Sequence, residues 1–173
     1  MKTPTLALSL ILGASFAQAQ TARVQVIHNS ADAAAASVDV YLDNTLLLDD
    51  FEFRNATEFI DAPAGVSFTI GIALSTSMSS ADAIFTQDFT LADGETYVIV
   101  ADGIVSPTGY SPAVPFTLEV YPMGREAAVG GSMMTDVLVH HGSTDAPTVD
   151  IYESAVVNTT IVEDAPYGAF AGY

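Results

Sequence analysis

Two stretches of the chain place histidine, serine and aspartate at the same spacing, and these are the residue types of a serine hydrolase triad. Residues 26–41 read VIHNSADAAAASVDVY and residues 139–152 read VHHGSTDAPTVDIY. The first stretch contains His28, Ser30 and Asp32. The second stretch repeats these types as His141, Ser143 and Asp145. The chain therefore raises the hypothesis of nucleophilic catalysis at two places.

The local pattern around these residues favours a structural role instead. A triad needs a serine that bonds the histidine, a carboxylate behind the imidazole ring and oxyanion donors, and no G-x-S-x-G elbow occurs in the sequence. A strand that runs into a turn fits the spacing better. There Ser30 and Asp32 bond local backbone N–H groups, while His28 bonds a carbonyl at the edge of the core. We therefore expect no catalytic residue.

Oxygen ligands for calcium are abundant in the sequence, whereas the ligands that zinc prefers are few. The chain has no cysteine, and the adjacent His140 and His141 point to opposite faces of a strand. No EF-hand loop occurs, so we expect most carboxylates to lie in turns and at strand edges in contact with water. No cofactor is expected. The candidates for a calcium ion are Asp32, Asp39, Asp43, Asp49 and Asp50.

An aspartate and a tyrosine follow each histidine on an alternating strand pattern. Asp39 and Tyr41 alternate with valines in the first stretch, and Asp150 and Tyr152 occupy the same places in the second. Because successive strand residues face opposite sides, these side chains are predicted on the outer, wet face of a sheet. Such a stripe is either a ligand platform or an acidic surface that discourages edge-to-edge association.

Alternation of apolar and polar residues dominates the chain from residue 23 onward, which is typical of half-buried strands. Turn signals such as Asp43-Asn44 and Pro63-Ala64-Gly65 separate the alternating runs. Seven or eight short strands within about 100 residues predict an all-β fold, namely an antiparallel immunoglobulin-like β-sandwich. The inward side chains include Val24 and Val26, then Val38, Val40 and Leu42, and later Val66, Phe68, Ile70 and Ile72.

The N-terminus has the features of a secretory leader. A short apolar run ends at Ala17-Gln18-Ala19, which predicts a signal peptide at residues 1–19 and a secreted, periplasmic or cell-surface protein. Without Lys2 the chain keeps 3 arginines against 21 acidic residues, a formal charge of 3 − 21 = −18. Such a charge repels nucleic acid and anionic lipid, and it favours cations and basic partners.

The repeated phrase divides the chain into two copies of one β unit. We predict a first sandwich repeat at residues 20–122, a Gly-rich linker at 123–135 and the start of a second repeat at 136–173. A unit of that length rarely folds alone, so we expect the second repeat to be truncated and the chain to be part of a longer protein. The alternative is that these strands complete a sheet of the first unit or of a neighbouring molecule.

The two phrases resemble the opening of the bacterial family catalogued as domain of unknown function 4397. The V-x-V-x-H strand, the Ser-x-Asp-Ala loop and the V-D-V-Y or V-D-I-Y strand carry the resemblance, at residues 24–41 and again at 137–152. The first copy departs from the pattern because four alanines follow Asp32 in place of Ala-Pro. The resemblance implies exported β-sandwich modules of bacterial envelopes, often in tandem, with no established activity.

Together these features predict a non-catalytic exported module with a structural or interaction role in the cell envelope or extracellular space. Envelope proteins or glycans are the candidate partners, and nucleic acid is not. No membrane insertion is expected after the leader is removed, and the oligomeric state stays open. One alternative is a carbohydrate- or calcium-binding module accessory to a larger secreted protein or enzyme. A hydrolase that uses His28 and Ser30 is the third class.

Overall fold

The computed structural model of the protein describes residues 19–173, and strands dominate this part of the chain. The predicted leader lies outside the described residues except for Ala19. Single turns of 3₁₀ helix lie at Ala33–Ala35 and Ser80–Asp82. In chain order the strands are β1 (Thr21–His28), β2 (Ser37–Leu42), β3 (Thr45–Glu52), β4 (Ile60–Pro63), β5 (Ser67–Leu74), β6 (Phe85–Thr90), β7 (Thr96–Asp102), β8 (Thr117–Tyr121), β9 (Leu138–His140), β10 (Val149–Glu153), β11 (Thr159–Ala165) and β12 (Phe170–Gly172).

Within residues 19–173, no helix has the length and apolar character needed to cross a membrane.

The first eight strands form two four-stranded sheets. One sheet has the order β4-β1-β7-β8, in which β1 runs antiparallel to β4 and parallel to β7. The other has the order β3-β2-β5-β6 and is antiparallel throughout. The predicted all-β sandwich is therefore confirmed. The parallel pair makes the first sheet mixed, because β1 and β7 lie side by side without being joined by a hairpin.

The core forms where the inward side chains of the two sheets meet. Val24 and Ile99 come from the first sheet, and Val38, Phe68 and Ile72 come from the second; each is less than a tenth exposed. Their positions follow the period of two that the sequence shows. Burying one such side chain stabilises a fold by about 1.5–3 kcal/mol, so the alternating pattern is the main source of stability in a chain without disulfides.

The predicted turns fall at turns of the structure, with one shift at the start of β5. Asp43 adopts a φ of 53° between β2 and β3, and Gly65 adopts a φ of 71° after β4. Val66 was expected to face inward, but it is 58% exposed. That prediction is wrong because Val66 still belongs to the turn at Gly65 and β5 begins only at Ser67, while Phe68, Ile70 and Ile72 face the core as predicted.

The outer face of β2, in the second sheet, is covered, contrary to the expectation of a wet stripe at Asp39 and Tyr41. These side chains are only 2% and 4% exposed. The connection between β5 and β6 lies over them, and Ser77 Oγ donates a hydrogen bond to Asp39 and contacts Tyr41 Oη at 2.8 Å. Gly71 permits this approach, because a Cβ there would lie 3.3 Å from Cβ of Ala83.

Residues 136–173, called here the second segment, contain two smaller sheets. Strand β9 pairs with β12, and β10 pairs with β11. Two ion pairs hold the predicted linker, residues 123–135: one ties its start to β1, and the other ties its start to the residue after its end. Arg23 Nε lies 2.8 Å from Glu126 Oε1, and Arg125 Nη1 lies 2.7 Å from Asp136 Oδ2.

Candidate functional site

The predicted site residues of the first stretch gather where β1 and β7 end. The two strands run parallel, and His28 stands opposite Ala101 in the last rung of the pair. The residues that follow each strand therefore meet at one end of the sandwich. We call this region the polar end; it consists of His28, Asn29, Ser30, Asp32, Asp102 and His140.

His28 is buried and bonds a backbone carbonyl, as its strand position predicts. The side chain is 1% exposed, and its Nε2–H donates to the carbonyl of Ala35 at 2.8 Å. The rings of Phe51 and Phe53 lie 5.9 and 6.0 Å from the imidazole. Burial lowers the pKa of His28 below its usual value, although the Ala35 carbonyl opposes this. The imidazole therefore braces the loop after β1 in its neutral form.

Ser30 is fully buried, and its hydroxyl is committed to a distant backbone group. Ser30 Oγ donates to the carbonyl of Gly103 at 2.7 Å. A hydroxyl has one proton to donate, so this bond takes the proton that a catalytic serine would pass to His28. The sequence predicted a bond within the local turn, whereas the structure places it across to the end of β7.

Asp32 acts as an anchor for the loop that joins β7 to β8. The carboxylate is 1% exposed and accepts N–H bonds from Ala34, Val105 and Ser106 at 2.9, 2.9 and 2.6 Å. The hydroxyls of Ser106 and Tyr110 donate to it as well, at 2.8 and 3.2 Å. Burial alone would raise the pKa of Asp32, but these hydrogen bonds outweigh it and hold the pKa below its usual value.

The structure does not gather the calcium candidates into one site. Asp39 accepts the N–H of Asp50 at 3.1 Å, and Asp43 accepts the N–H of Thr69 at 2.9 Å. The side chain of Asp49 is exposed. Within the described residues, no group of three or more histidine, cysteine, aspartate or glutamate side chains has a geometry that would hold a metal ion.

Asp102 joins the first sandwich to the second segment, although no motif in the sequence marks it as a site residue. Its carboxylate is 1% exposed and accepts the N–H of Gly103 at 2.9 Å and Nε2–H of His140 at 2.9 Å. Nearby, Asn29 Nδ2 donates to the carbonyl of Gly142 at 3.4 Å. The polar end is therefore also the place where the two parts of the chain meet.

Aromatic rings complete this junction. Phe170 of β12 lies 4.3 Å from the ring of His140 and 5.5 Å from the ring of Tyr121, measured between centroids. The guanidinium of Arg125 stands 4.4 Å over the ring of Tyr173. Burial, together with the negative charges of Asp102 and Glu119, raises the pKa of Tyr167 to about 12, so its hydroxyl stays neutral.

The contacts of His28 recur around His141. His141 Nε2–H donates to the carbonyl of Pro147 at 3.0 Å, as His28 does to Ala35. The backbone carbonyls of the two histidines accept N–H bonds of 2.8 Å from residues with positive φ. These donors are Arg54, with a φ of 70°, and Gly168, with a φ of 78°.

The strand pairs that follow each histidine also share one irregular register. Strand β10 pairs with β11 as β2 pairs with β3, including two register shifts at matching places. Asp150 Oδ1 accepts the N–H of Asp164 at 2.8 Å, as Asp39 Oδ1 accepts that of Asp50. Both donors adopt a φ of 51°. Such bulges are specific features of a strand pair, so their repetition is a structural likeness and not only a likeness of composition.

The two stretches differ in what surrounds them. Asp145 and Ser143 are exposed, and Ser143 Oγ donates to Asp145 at 2.9 Å. Asp150 is exposed and Tyr152 is 55% exposed, which agrees with the predicted wet face for the second stretch alone. In the first stretch the loops of the sandwich cover the equivalent side chains.

The core of the first sandwich contains one further feature that bears on ligand binding. An apolar cavity of about 60 Å³ lies between the sheets, lined by Val26, Phe51, Ile70 and neighbouring side chains. An apolar cavity that binds benzene is about 150 Å³. The cavity is thus too small for an organic ligand of that size.

These observations define a class of protein: a small all-β sandwich whose buried polar residues His28, Ser30 and Asp32 bond the chain's own loops. The chain belongs to the family described as domain of unknown function (DUF4397), whose family model matches residues 17–117. A comparison with curated proteins found no match.

Proposed function

We propose that the chain is a non-catalytic module exported by a bacterium, with a structural or interaction role in the cell envelope or the extracellular space. In this proposal the second segment is a second copy of the β unit that begins the first sandwich.

The observation that carries the proposal is the commitment of the polar end to the chain itself. Ser30 Oγ donates to Gly103, His28 donates to Ala35, and Asp32 accepts five hydrogen bonds from the protein. Groups that are buried and bonded in this way stabilise loops and are not free to act on a substrate. This supports a structural role for the repeated phrase.

The tandem arrangement draws support from the contacts around His141 and from the matching registers of the two strand pairs. Export draws support from the leader-like sequence of residues 1–19, and an interaction role draws support from the charge of −18 (3 − 21) on the remaining chain. A strongly acidic surface attracts basic partners and keeps the module soluble.

The test combines a binding measurement with an activity measurement on the chain without residues 1–19. We expect saturable retention of the chain on envelope proteins or glycans from a bacterial surface. We also expect no Ser30-dependent turnover of ester, peptide or glycoside substrates, that is, none that is lost in the Ser30→Ala variant. Turnover that disappears in Ser30→Ala, together with no retention on any envelope fraction, would contradict the proposal.

A further inference from the structure

The two repeated stretches differ at the positions on either side of the shared histidine. Ile27 and Asn29 flank His28 in the first stretch, whereas His140 and Gly142 flank the histidine of the second. Because successive strand residues face opposite sides, a residue next to the buried histidine points away from the core of its own unit. In the second stretch these two outward positions meet the first sandwich.

His140 supplies a donor to a buried carboxylate of the first sandwich. Asp102 is 1% exposed, and the side chain of His140 is 10% exposed. His140 Nε2–H donates to Asp102 Oδ2 at 2.9 Å, and the ring of Phe170 packs on the imidazole. The isoleucine that the first stretch has in this place offers no N–H group. With isoleucine at position 140, the buried carboxylate would lose one of its donors.

Gly142 allows the backbone of the second segment to reach the first sandwich. Its carbonyl accepts a hydrogen bond from Asn29 Nδ2 at 3.4 Å. A Cβ at Gly142 would collide with Asn29 Nδ2 and with Asp102 Oδ2, and a Cβ at Gly172 would collide with the hydroxyl of Tyr121. Any larger residue at position 142, including the asparagine of the first stretch, would push the two parts of the chain apart.

The linker restrains the two parts as well. The Gly-rich composition of residues 123–135 is typical of a flexible connection. Its start is nevertheless fixed, because Gly124 donates its N–H to the carbonyl of Thr96 at 2.9 Å, at the start of β7. The next residue, Arg125, donates its N–H to Tyr173 Oη at 3.1 Å and stacks its guanidinium on that ring. Adjacent linker residues thus hold the first sandwich and the second segment.

We propose that this junction is a rigid joint, so that the chain acts as a stiff spacer whose two repeats keep one fixed orientation. His140 and Gly142 specify the joint and mark the second repeat as the one that docks on the end of the first. The inference rests on the proposed function, since it takes the second segment as a second copy of the β unit. Linked domains move relative to each other unless their interface prevents it, and here the buried hydrogen bond, the close glycine contacts and the fixed linker prevent it.

The test measures tumbling by ¹⁵N relaxation on the chain without residues 1–19. In the unchanged chain the amides of β1–β8 and of β9–β12 should report one common tumbling time. His140→Ile and Gly142→Asn each install the residue that the first stretch has at the same place, so the β unit itself tolerates them.

Each substitution should release the second segment from the first sandwich. Its tumbling time should then become shorter than that of the sandwich by about 1.5-fold or more, or its amide signals should move to the positions of an unfolded chain, because a unit of this length rarely folds alone. Val156→Ala, at a side chain that is 88% exposed in the β10–β11 loop, is the control and should keep one common tumbling time.

Three results would overturn the proposal. The first is two tumbling times in the unchanged chain, and the second is one common tumbling time in His140→Ile or in Gly142→Asn. The third is a shift of the amide signals throughout the first sandwich in these variants, since the substituted residues belong to the second segment alone. A chain that tumbles as one body but binds no envelope fraction contradicts the proposed function alone. A chain that is retained on envelope fractions but has two tumbling times contradicts this inference alone.

Discussion

A buried carboxylate is kept in a core only where enough donors surround it, and the aspartates of this chain follow that rule. Asp32 is buried and accepts five hydrogen bonds, and Asp39 is buried and accepts bonds from Asp50 and Ser77. Asp145, the counterpart of Asp32, is exposed and accepts a bond from Ser143. The equivalent aspartates of the two stretches therefore contribute differently to the free energy of unfolding, because one is buried and the other is exposed.

This difference gives a first prediction. Asp32→Asn removes the negative charge of the carboxylate to which the N–H groups of Val105 and Ser106 donate. It should lower the free energy of unfolding by about 2–4 kcal/mol. The matched change Asp145→Asn should alter it by about 0.5 kcal/mol or less, because that side chain is exposed. Urea unfolding followed by fluorescence measures both. Equal effects of the two substitutions would refute the structural assignment of Asp32.

The pH dependence of stability gives a second prediction. Burial lowers the pKa of His28 below 6.5, so the unfolded chain takes up a proton at this position before the folded chain does. The free energy of unfolding should therefore fall as the pH drops below about 6.5. His28→Gln keeps a side-chain N–H for Ala35 and should flatten this dependence. An NMR titration of the His28 ring that gives a pKa at or above 6.5 would contradict the prediction.

The local sequence identified the residues of the repeated phrase that lie at the polar end, but it did not predict all of their hydrogen-bond partners. His28 bonds a carbonyl as expected, because its strand position fixes the direction of its side chain. The partners of Asp32 at Val105, Ser106 and Tyr110 lie on a loop more than 70 residues further along the chain. No local pattern identifies such partners, since only the pairing of β1 with β7 brings that loop to Asp32.

At the level of the elements, alternation predicted the strands and glycine predicted several of the turns. The positions of the covering segments were harder to foresee, because they depend on packing between distant parts of the chain. Gly71 in β5 was the available signal for the connection that buries Asp39 and Tyr41, since a glycine inside a strand often marks a close approach of another segment. The small size of Gly71 lets the connection pack closely, which explains why Asp39 and Tyr41 are buried although they were predicted on a wet face.

Two glycines of the β7–β8 loop give a third prediction. Both have positive φ, 83° at Gly103 and 97° at Gly109, but a Cβ at Gly103 would collide with the backbone of Pro115 while one at Gly109 would meet no atom. Gly103→Ala should therefore cost about 2–4 kcal/mol of stability, and Gly109→Ala about 1 kcal/mol. Thermal unfolding of the two variants compares them. A Gly109→Ala variant less stable than Gly103→Ala would contradict the loop geometry.

In the molecule as a whole, the polar end joins two parts of unequal size. The first sandwich has two four-stranded sheets, whereas the second segment has two two-stranded sheets. Asp102 and His140 form the buried bond between them, and Phe170 stacks on His140. The sequence gave no sign of this contact, because Asp102 and His140 lie 38 residues apart and occupy no shared motif.

The junction gives a fourth prediction. Phe170→Ala removes the ring that packs on His140 and Tyr121, so the second segment should separate more readily from the first sandwich. We expect faster limited proteolysis within residues 123–135, by about fivefold or more, with little change in the unfolding of the first sandwich. Tyr152→Ala, in the exposed part of the same segment, is the control and should leave the cleavage rate unchanged. Loss of stability in the first sandwich, or equal cleavage of both variants, would contradict this view of the junction.

Amide hydrogen exchange on the chain without residues 1–19 compares the two stretches most directly. In the first sandwich Asp32 braces the β7–β8 loop, whereas β10 in the second stretch has one edge without a partner among residues 19–173. We therefore expect slow exchange at Val105 and Ser106, whose N–H groups donate to Asp32, and fast exchange at Asp150 and Tyr152 in β10. Fast exchange at Val105 and Ser106, or slow exchange at Asp150 and Tyr152 in the monomeric chain, would contradict this expectation.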